Sequence, residues 1–173
     1  MRALADRDRI QRFMQAVARE ARRDVHVYFV GGTTAVLLGW RAATVDVDLV
    51  LEPEDDAVMR AIPGLKEKLQ LNVEFASPAH FIPVPAGWQE RSVFIEQAGR
   101  VAFYHFDLYA QALAKVERGH PQDLSDVREM LKRGLIDAGT AREYFHRIEP
   151  ELYRFPALHA PTFRKAVDAE FGG

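Results

Sequence analysis

The period of hydrophobic and polar positions changes several times along the chain, and the changes mark its elements. Between Arg7 and Arg23, Ile10, Phe13, Met14, Val17 and Ala21 recur at helical spacing with arginines elsewhere on the wheel, which predicts an amphipathic helix packed on a core. Val27-Tyr28-Phe29-Val30 is a short β-branched and aromatic run that stops at Gly31-Gly32, and it predicts a buried strand. His26, just before it, reads as a surface residue at the strand end. Thr33 to Leu38 predicts a compact helix ending near Gly39. In Val45 to Leu51 the period falls to two, so Asp46 and Asp48 share one face of a strand while Val45, Val47 and Leu49 take the other.

Glu52 to Asp56 reads as a turn into a helix through Val58, Met59 and Ile62, with Asp55 and Asp56 as first-turn caps rather than catalysts. Pro63-Gly64 is expected to break that helix, with a short polar helix after it. Leu71 to Ala76 predicts a strand with Asn72 and Glu74 on one face and Val73 and Phe75 on the other. The proline-rich stretch Ser77 to Trp88 reads as a long loop of the length that usually has a function. Ser92–Gln97 and Arg100–Phe106 read as a hairpin turned near Gly99. From Asp107 the pattern is helical. One helix carries Leu108, Ala112, Leu113, Val116 and Lys115, Gly119-His120-Pro121 breaks it, and another starts at Asp123. Asp137–Ile148 and Pro161–Phe171 predict two more. The expected fold is α+β: a mixed sheet flanked by helices over residues 1–106, and a C-terminal helical section, 107–173, packed on it.

Two features of the early strand–helix–strand unit suggest chemistry. Two carboxylates on one strand face repel each other, and a cation between them relieves the repulsion; such oxygen-rich sites suit Mg²⁺ with phosphate ligands. Gly31 and Gly32 lack Cβ atoms, so backbone N–H groups there can approach a phosphate closely, and the following helix start favours negative charge. The alternative is a tight turn beside an Asp pair on a solvated strand.

Gly31-Gly32-Thr33, the spacer and Asp46-Val47-Asp48 resemble the glycine-pair and Asp-x-Asp signature of the nucleotidyltransferase superfamily, the DNA polymerase β-like fold. Within it the chain is most similar to the small bacterial branch of abortive-infection, toxin-type and uncharacterised nucleotidyltransferases. The resemblance implies transfer of a nucleoside monophosphate from a nucleoside triphosphate to a hydroxyl of an RNA or protein acceptor, with pyrophosphate leaving. It implies that Asp46 and Asp48 hold two Mg²⁺ ions (or Mn²⁺), roughly 3.5–4 Å apart as in two-metal sites generally. A third carboxylate belongs on a neighbouring strand; Glu74 is the matching position, and Glu96 competes for it. Gly31, Gly32 and Thr33 would bind the β- and γ-phosphates. Lys115, Arg118, Asp123 and Asp126 are similar to the branch's lysine-then-aspartate motif, in which the lysine meets the phosphates and the aspartate completes the site. His120-Pro121 departs from the basic run common there, which leaves the roles of Arg118 and His120 open. Asp123 and Asp126 also fit an N-cap and its partner. Arg91 offers a guanidinium fork to a triphosphate, or pairs with a local acid.

Composition narrows this only a little. The chain has 173 residues, 48% of them hydrophobic and 28% charged, ordinary for a globular protein with one sizeable core. It has no cysteine, which removes disulfides, thiolate nucleophiles and cysteine–zinc sites and fits the cytoplasm. No apolar run has membrane-spanning length and no signal-peptide pattern stands at the start, so no membrane association is expected. A net charge of −2 exerts no general pull on nucleic acid. Residues 1–30 carry seven arginines against four acids, which most simply makes a solvated helix face. Two other functions fit the motifs. Asp46-Val47-Asp48-Leu49-Val50 matches the opening of haloacid-dehalogenase phosphatases, with Asp46 as nucleophile, although that motif sits on the first strand of its fold. A non-catalytic nucleotide- or partner-binding module, such as the neutralising half of a toxin–antitoxin pair, is the non-enzyme alternative.

Overall fold

The computed structural model describes residues 3–172, which divide into two compact units. The first comprises residues up to Ser77 together with Ser92–His105; the second comprises Pro78–Arg91 and the chain from Phe106 onward.

The first unit opens with β1 (Ala5–Asp6) and α1 (Arg7–Glu20), whose N-cap Asp6 accepts from the Arg9 N–H. Then follow β2 (Val25–Val30), α2 (Gly32–Leu38), β3 (Ala43–Thr44), β4 (Asp46–Glu52), α3 (Asp56–Leu69) and β5 (Asn72–Phe75). The later hairpin adds β6 (Val93–Ala98) and β7 (Val101–His105). Five strands form one mixed sheet in the order β5-β4-β2-β7-β6. β2 lies antiparallel to β4 and parallel to β7; β4 and β5 are parallel, and β6 and β7 antiparallel. β1 and β3 pair separately, Ala5 opposite Thr44, and this pins the chain just before β4.

Alternation assigns the two faces of the sheet. Val25, Val27 and Phe29 of β2, Val47, Leu49 and Leu51 of β4, Val73 of β5 and Phe103 of β7 share one core with Ile10, Phe13, Met14 and Val17 of α1. α3 adds Val58, Ile62 and Leu65 to the same core. The α+β expectation and its mixed sheet are found, including the predicted hairpin.

One expectation fails here. Pro63-Gly64 does not break α3, which runs unbroken to Leu69 with Pro63 inside it. Pro63 and Gly64 lie on the exposed side, while Val58 and Ile62 before them and Leu65 after them are buried. Burial of that stripe at roughly 1.5–3 kcal/mol per large side chain exceeds the cost of about 3 kcal/mol for an internal proline. Asp55 caps α3 as expected, accepting from Ala57 and Val58 N–H and also from Arg22 N–H. Burial pushes the Asp55 carboxyl up, but these backbone donors pull harder and hold it below its usual range.

The second unit is helical. It contains a 3₁₀ turn at Pro78–His80, α4 (Trp88–Arg91), α5 (Leu108–Arg118), α6 (Pro121–Lys132), α7 (Ala138–Ile148), a second 3₁₀ segment at Glu149–Arg154 and α8 (Ala160–Phe171). α5 packs against α6, α7 and α8, and Phe145 meets Phe163 edge to face with centroids 4.9 Å apart. Pro78–Arg91 joins this unit because Trp88 stacks on Phe106, centroids 4.2 Å apart, and Arg91 pairs with Asp107. No helix among the described residues is long and apolar enough to cross a membrane.

Candidate active site

β4 and β5 run parallel in a register that sets Asp46 opposite Asn72 and Asp48 opposite Glu74. Directly paired residues project from the same face, so all four side chains crowd together. Asp46, Asp48 and Glu74 each offer an oxygen, and the three oxygens lie within 4.8 Å of one another. Asp46 and Asp48 are half-buried and Glu74 is exposed, so the cluster opens to solvent. Glu96 is on β6, the opposite edge of the sheet, and lines a different cavity beside α1. Glu74 is therefore the acid brought to the Asp pair.

Asn72 is a site residue whose role the sequence did not disclose. Its amide donates to Asp46 Oδ1 and, at 3.1 Å, to Glu74 Oε1, so one neutral group fixes the first and third carboxylates. Its placement on the Glu74 face was readable; its position opposite Asp46 depends on strand register.

The glycine pair sits where β2 ends. Val30, the last residue of β2, is paired with Asp48. Gly31 follows with φ +68°, a left-handed conformation that favours glycine, and a Cβ there would stand 3.5 Å from Asp48 Oδ2. Gly32 is constrained by space. A Cβ on it would lie 2.1 Å from Thr44 Oγ1 and 2.8 Å from Arg41 Nη1, closer than atoms pack. Thr44 in turn donates to the Asp46 carbonyl at 3.2 Å. The start of α2 is thus fitted against the residue that leads into the aspartate strand. Thr33 is fully buried, and its hydroxyl finds no hydrogen-bond partner among the described residues. Thr34 beside it donates to Phe29 O and lies 3.0 Å from His105 Nδ1. Burial drives the His105 pKa down to about 4, so the imidazole is neutral at pH 7.

Arg91, Lys115 and Asp123 belong to the second unit. The Arg91 guanidinium holds Asp107 through Nε and Nη2 and the carbonyls of Pro85 and Ala86 through Nη2 and Nη1, which ties the proline-rich loop to the start of α5. Lys115 is buried, with Nζ 2.8 Å from Asp126 Oδ2 and 3.8 Å from Asp123 Oδ1. Arg118 forks onto Asp123 from the surface. Burial raises Asp123, but the hydrogen bond and charge of Arg118, the Lys115 charge and the His120 N–H outweigh it and hold the carboxyl below its usual range. Asp123 is not the N-cap expected from sequence. His120 takes that place, Pro121 starts the helix, and Asp123 reaches back from the third helical position to the His120 N–H at 3.3 Å. Asp126 serves Lys115 rather than a cap.

Comparison with known proteins bears on what the acidic trio is for. Residues 8–156 match a family described as nucleotidyltransferase of unknown function, DUF6036. The chain belongs to that family. The match spans both the acidic strand and the Lys115 helices, and it sets aside the phosphatase alternative. No curated protein and no solved structure matches the chain.

Proposed function

We propose that this member of the family is a divalent-metal-dependent enzyme that moves a nucleoside monophosphate from a nucleoside triphosphate to a hydroxyl of an RNA or protein acceptor, releasing pyrophosphate. The single observation that carries the reading is the convergence of Asp46, Asp48 and Glu74 within 4.8 Å, in a family of nucleotidyltransferases. Three carboxylate oxygens form a hard donor set, which suits Mg²⁺ or Mn²⁺ rather than a soft metal. Such an ion, when bound, supplies Lewis acidity to the triphosphate and lowers the pKa of an acceptor hydroxyl. Asn72 keeps two of the three carboxylates in one orientation, as partners of metal ligands commonly do. The glycine pair brings backbone next to Asp48, and the orphaned Thr33 hydroxyl is a donor suited to a phosphate oxygen. Lys115 is the lysine that the family resemblance assigns to the nucleotide phosphates; its ammonium is held 2.8 Å from Asp126, and Asp123 holds Arg118. Arg91 keeps the loop it clamps in place. The setting is bacterial and cytoplasmic, as a toxin–antitoxin or defence component with a cognate antitoxin or toxin partner; the cysteine-free sequence suits a reducing compartment.

The reaction is tested by incubating the protein with α- or γ-labelled triphosphates, Mg²⁺, and total cellular RNA and protein. Label carried to a macromolecule from the α position alone is the expected result. Transfer from the γ position, or no transfer from any triphosphate, overturns it; the latter with metal still bound would identify a non-catalytic binding module.

A further inference from the structure

His105 ends β7 on the face of the sheet turned away from the acids. It pairs in register with Phe29, a core residue, whereas Asp48 pairs with Val30 on the other face. On the His105 side a cavity of about 230 Å³ opens between β6, the first half of α1 and the end of α2. Sites for drug-sized ligands begin near roughly 300 Å³, so this one suits a small metabolite.

Burial sorts the walls by depth. His105 and Met14 are buried, Leu37 and Ile95 are half-buried apolar sides, and Arg7 and Glu96 are exposed at the mouth. At the bottom, Thr34 Oγ1 gives its one proton to Phe29 O, so in the 3.0 Å contact with His105 Nδ1 the ring is the donor. The ring is neutral, because burial disfavours its charged form. Its Nε2 is therefore a bare acceptor, and among the described residues nothing donates to it. A buried acceptor left in that state is costly unless a ligand supplies the donor.

The mouth carries charge of both signs. Arg7 Nη2 donates to the Leu37 carbonyl at 2.6 Å, which holds the guanidinium in place and leaves Nε and Nη1 without a partner among the described residues. Glu96 lines the same cavity, yet it pairs neither with Arg7 nor with any other described residue. A simple anion here would meet Arg7 but face Glu96, and a simple cation would meet the reverse. A zwitterion suits both. An α-amino acid has both charges at one end and its side chain at the other, which matches a charged mouth above apolar sides. Tyrosine and tryptophan are the amino acids that place a neutral donor at the far end of a large apolar body.

We propose that this cavity binds a free aromatic α-amino acid whose ring carries a donor, tyrosine or tryptophan. Its carboxylate meets Arg7, its ammonium meets Glu96, and its ring O–H or N–H meets His105 Nε2. The site is separate from the acidic trio, and it stands whether or not nucleotidyl transfer does.

The test is equilibrium dialysis of the full chain against labelled L-tyrosine and L-tryptophan up to millimolar concentration. Binding of at least one is expected, and the tighter of the two tells whether His105 meets a phenol or an indole. L-phenylalanine, which lacks a ring donor, should bind about tenfold more weakly than the better of them, because it leaves Nε2 unpaired. Arg7→Gln should weaken the amino acid about tenfold without weakening its amine analogue, tyramine or tryptamine, which has no carboxylate. Glu96→Gln should weaken the amino acid to a similar degree without weakening the acid analogue, desaminotyrosine or indolepropionate, which has no ammonium. Both side chains are exposed, so neither change opens the core, and the spared analogue shows that the cavity is intact. Asp46→Ala/Asp48→Ala should bind the amino acid as the wild type does. The proposal is overturned if the wild type binds neither amino acid, if phenylalanine binds equally well, or if both mouth variants bind as the wild type does. Loss of the amino acid in Asp46→Ala/Asp48→Ala also overturns it. None of these results changes the outcome of the label-transfer experiment.

Discussion

Two groups of acidic side chains, one in each unit, meet the problem of crowded carboxylates in opposite ways. In the helical unit Asp123 and Asp126 are buried and are answered by Lys115 and Arg118, cations of the same chain on the preceding helix. In the sheet unit Asp46, Asp48 and Glu74 stand nearer solvent, and the group that crosses Asp46 and Glu74 is an amide, which brings hydrogen bonds but no charge. The first arrangement is complete as folded and fastens α5 to α6. The second stands open to solvent at Glu74, the access that a site taking up a divalent ion requires.

The comparison breaks most sharply at Asp48. Asp48→Asn should lower the rate of α-label transfer by about 10³-fold, the equivalent of several kcal/mol of transition-state charge stabilisation, while the thermal melt stays near that of the wild type. A variant that melts early but keeps transferring label would mean that the sheet cluster, too, is structural. Lys115→Ala should behave in the reverse sense: it leaves Asp126 buried without its cation and should cost about 3 kcal/mol in urea unfolding, whatever it does to phosphate binding. An unchanged unfolding midpoint would remove the contrast from the other side.

Smaller effects sharpen the picture. Asn72→Ala should lower Mn²⁺ affinity by about 10- to 100-fold, as loss of a group that orients metal ligands generally does, with little change in stability; equal affinity by calorimetry would show that Asn72 orients nothing. His105 is a third way of handling a buried ionisable group, by keeping it neutral. Its pKa is about 4 in the fold, whereas an unfolded imidazole titrates near 6.5. Between those values the unfolded chain takes up a proton that the folded chain refuses, so stability present above about pH 6.5 is lost as the pH falls toward 4. His105→Asn should flatten the dependence of Tm on pH across that window and change little at pH 8. A wild-type slope in the variant would mean that other groups govern the acid transition.

What the sequence disclosed followed from short-range pattern. The period-two run from Val45 to Leu51 put Asp46 and Asp48 on one face without any knowledge of the sheet, and the glycine pair announced a turn by its lack of Cβ atoms. What it concealed depends on pairing between distant segments. Glu74 could not be told from Glu96 until the strand order put one beside β4 and the other on the far edge. Asn72 gained its role from the register that sets it across from Asp46. The Pro63-Gly64 break was a sound local inference overridden by buried neighbours on either side. At Asp123 the misleading signal was local: Asp is a good N-cap, but Pro121 two residues earlier is the better mark of a first helical position.

The order in which the two units are threaded has a consequence for synthesis. A chain that has emerged as far as residue 77 has β2, β4 and β5, but the parallel partner of β2, residues 101–105, is still to be made. Meanwhile residues 78–91 are already out, and Trp88 and Arg91 must wait for Phe106 and Asp107. One edge of β2 therefore stays open through nearly thirty further residues of elongation, the kind of exposed strand edge that invites wrong pairing in nascent chains. Emergence of residues 101–107 closes the sheet and secures the loop in a single step. A chain cut at 106 would carry every strand and the whole first unit, yet would leave residues 78–91 without the Asp107 that Arg91 needs, so one cut cannot part the first unit from the second unit's loop.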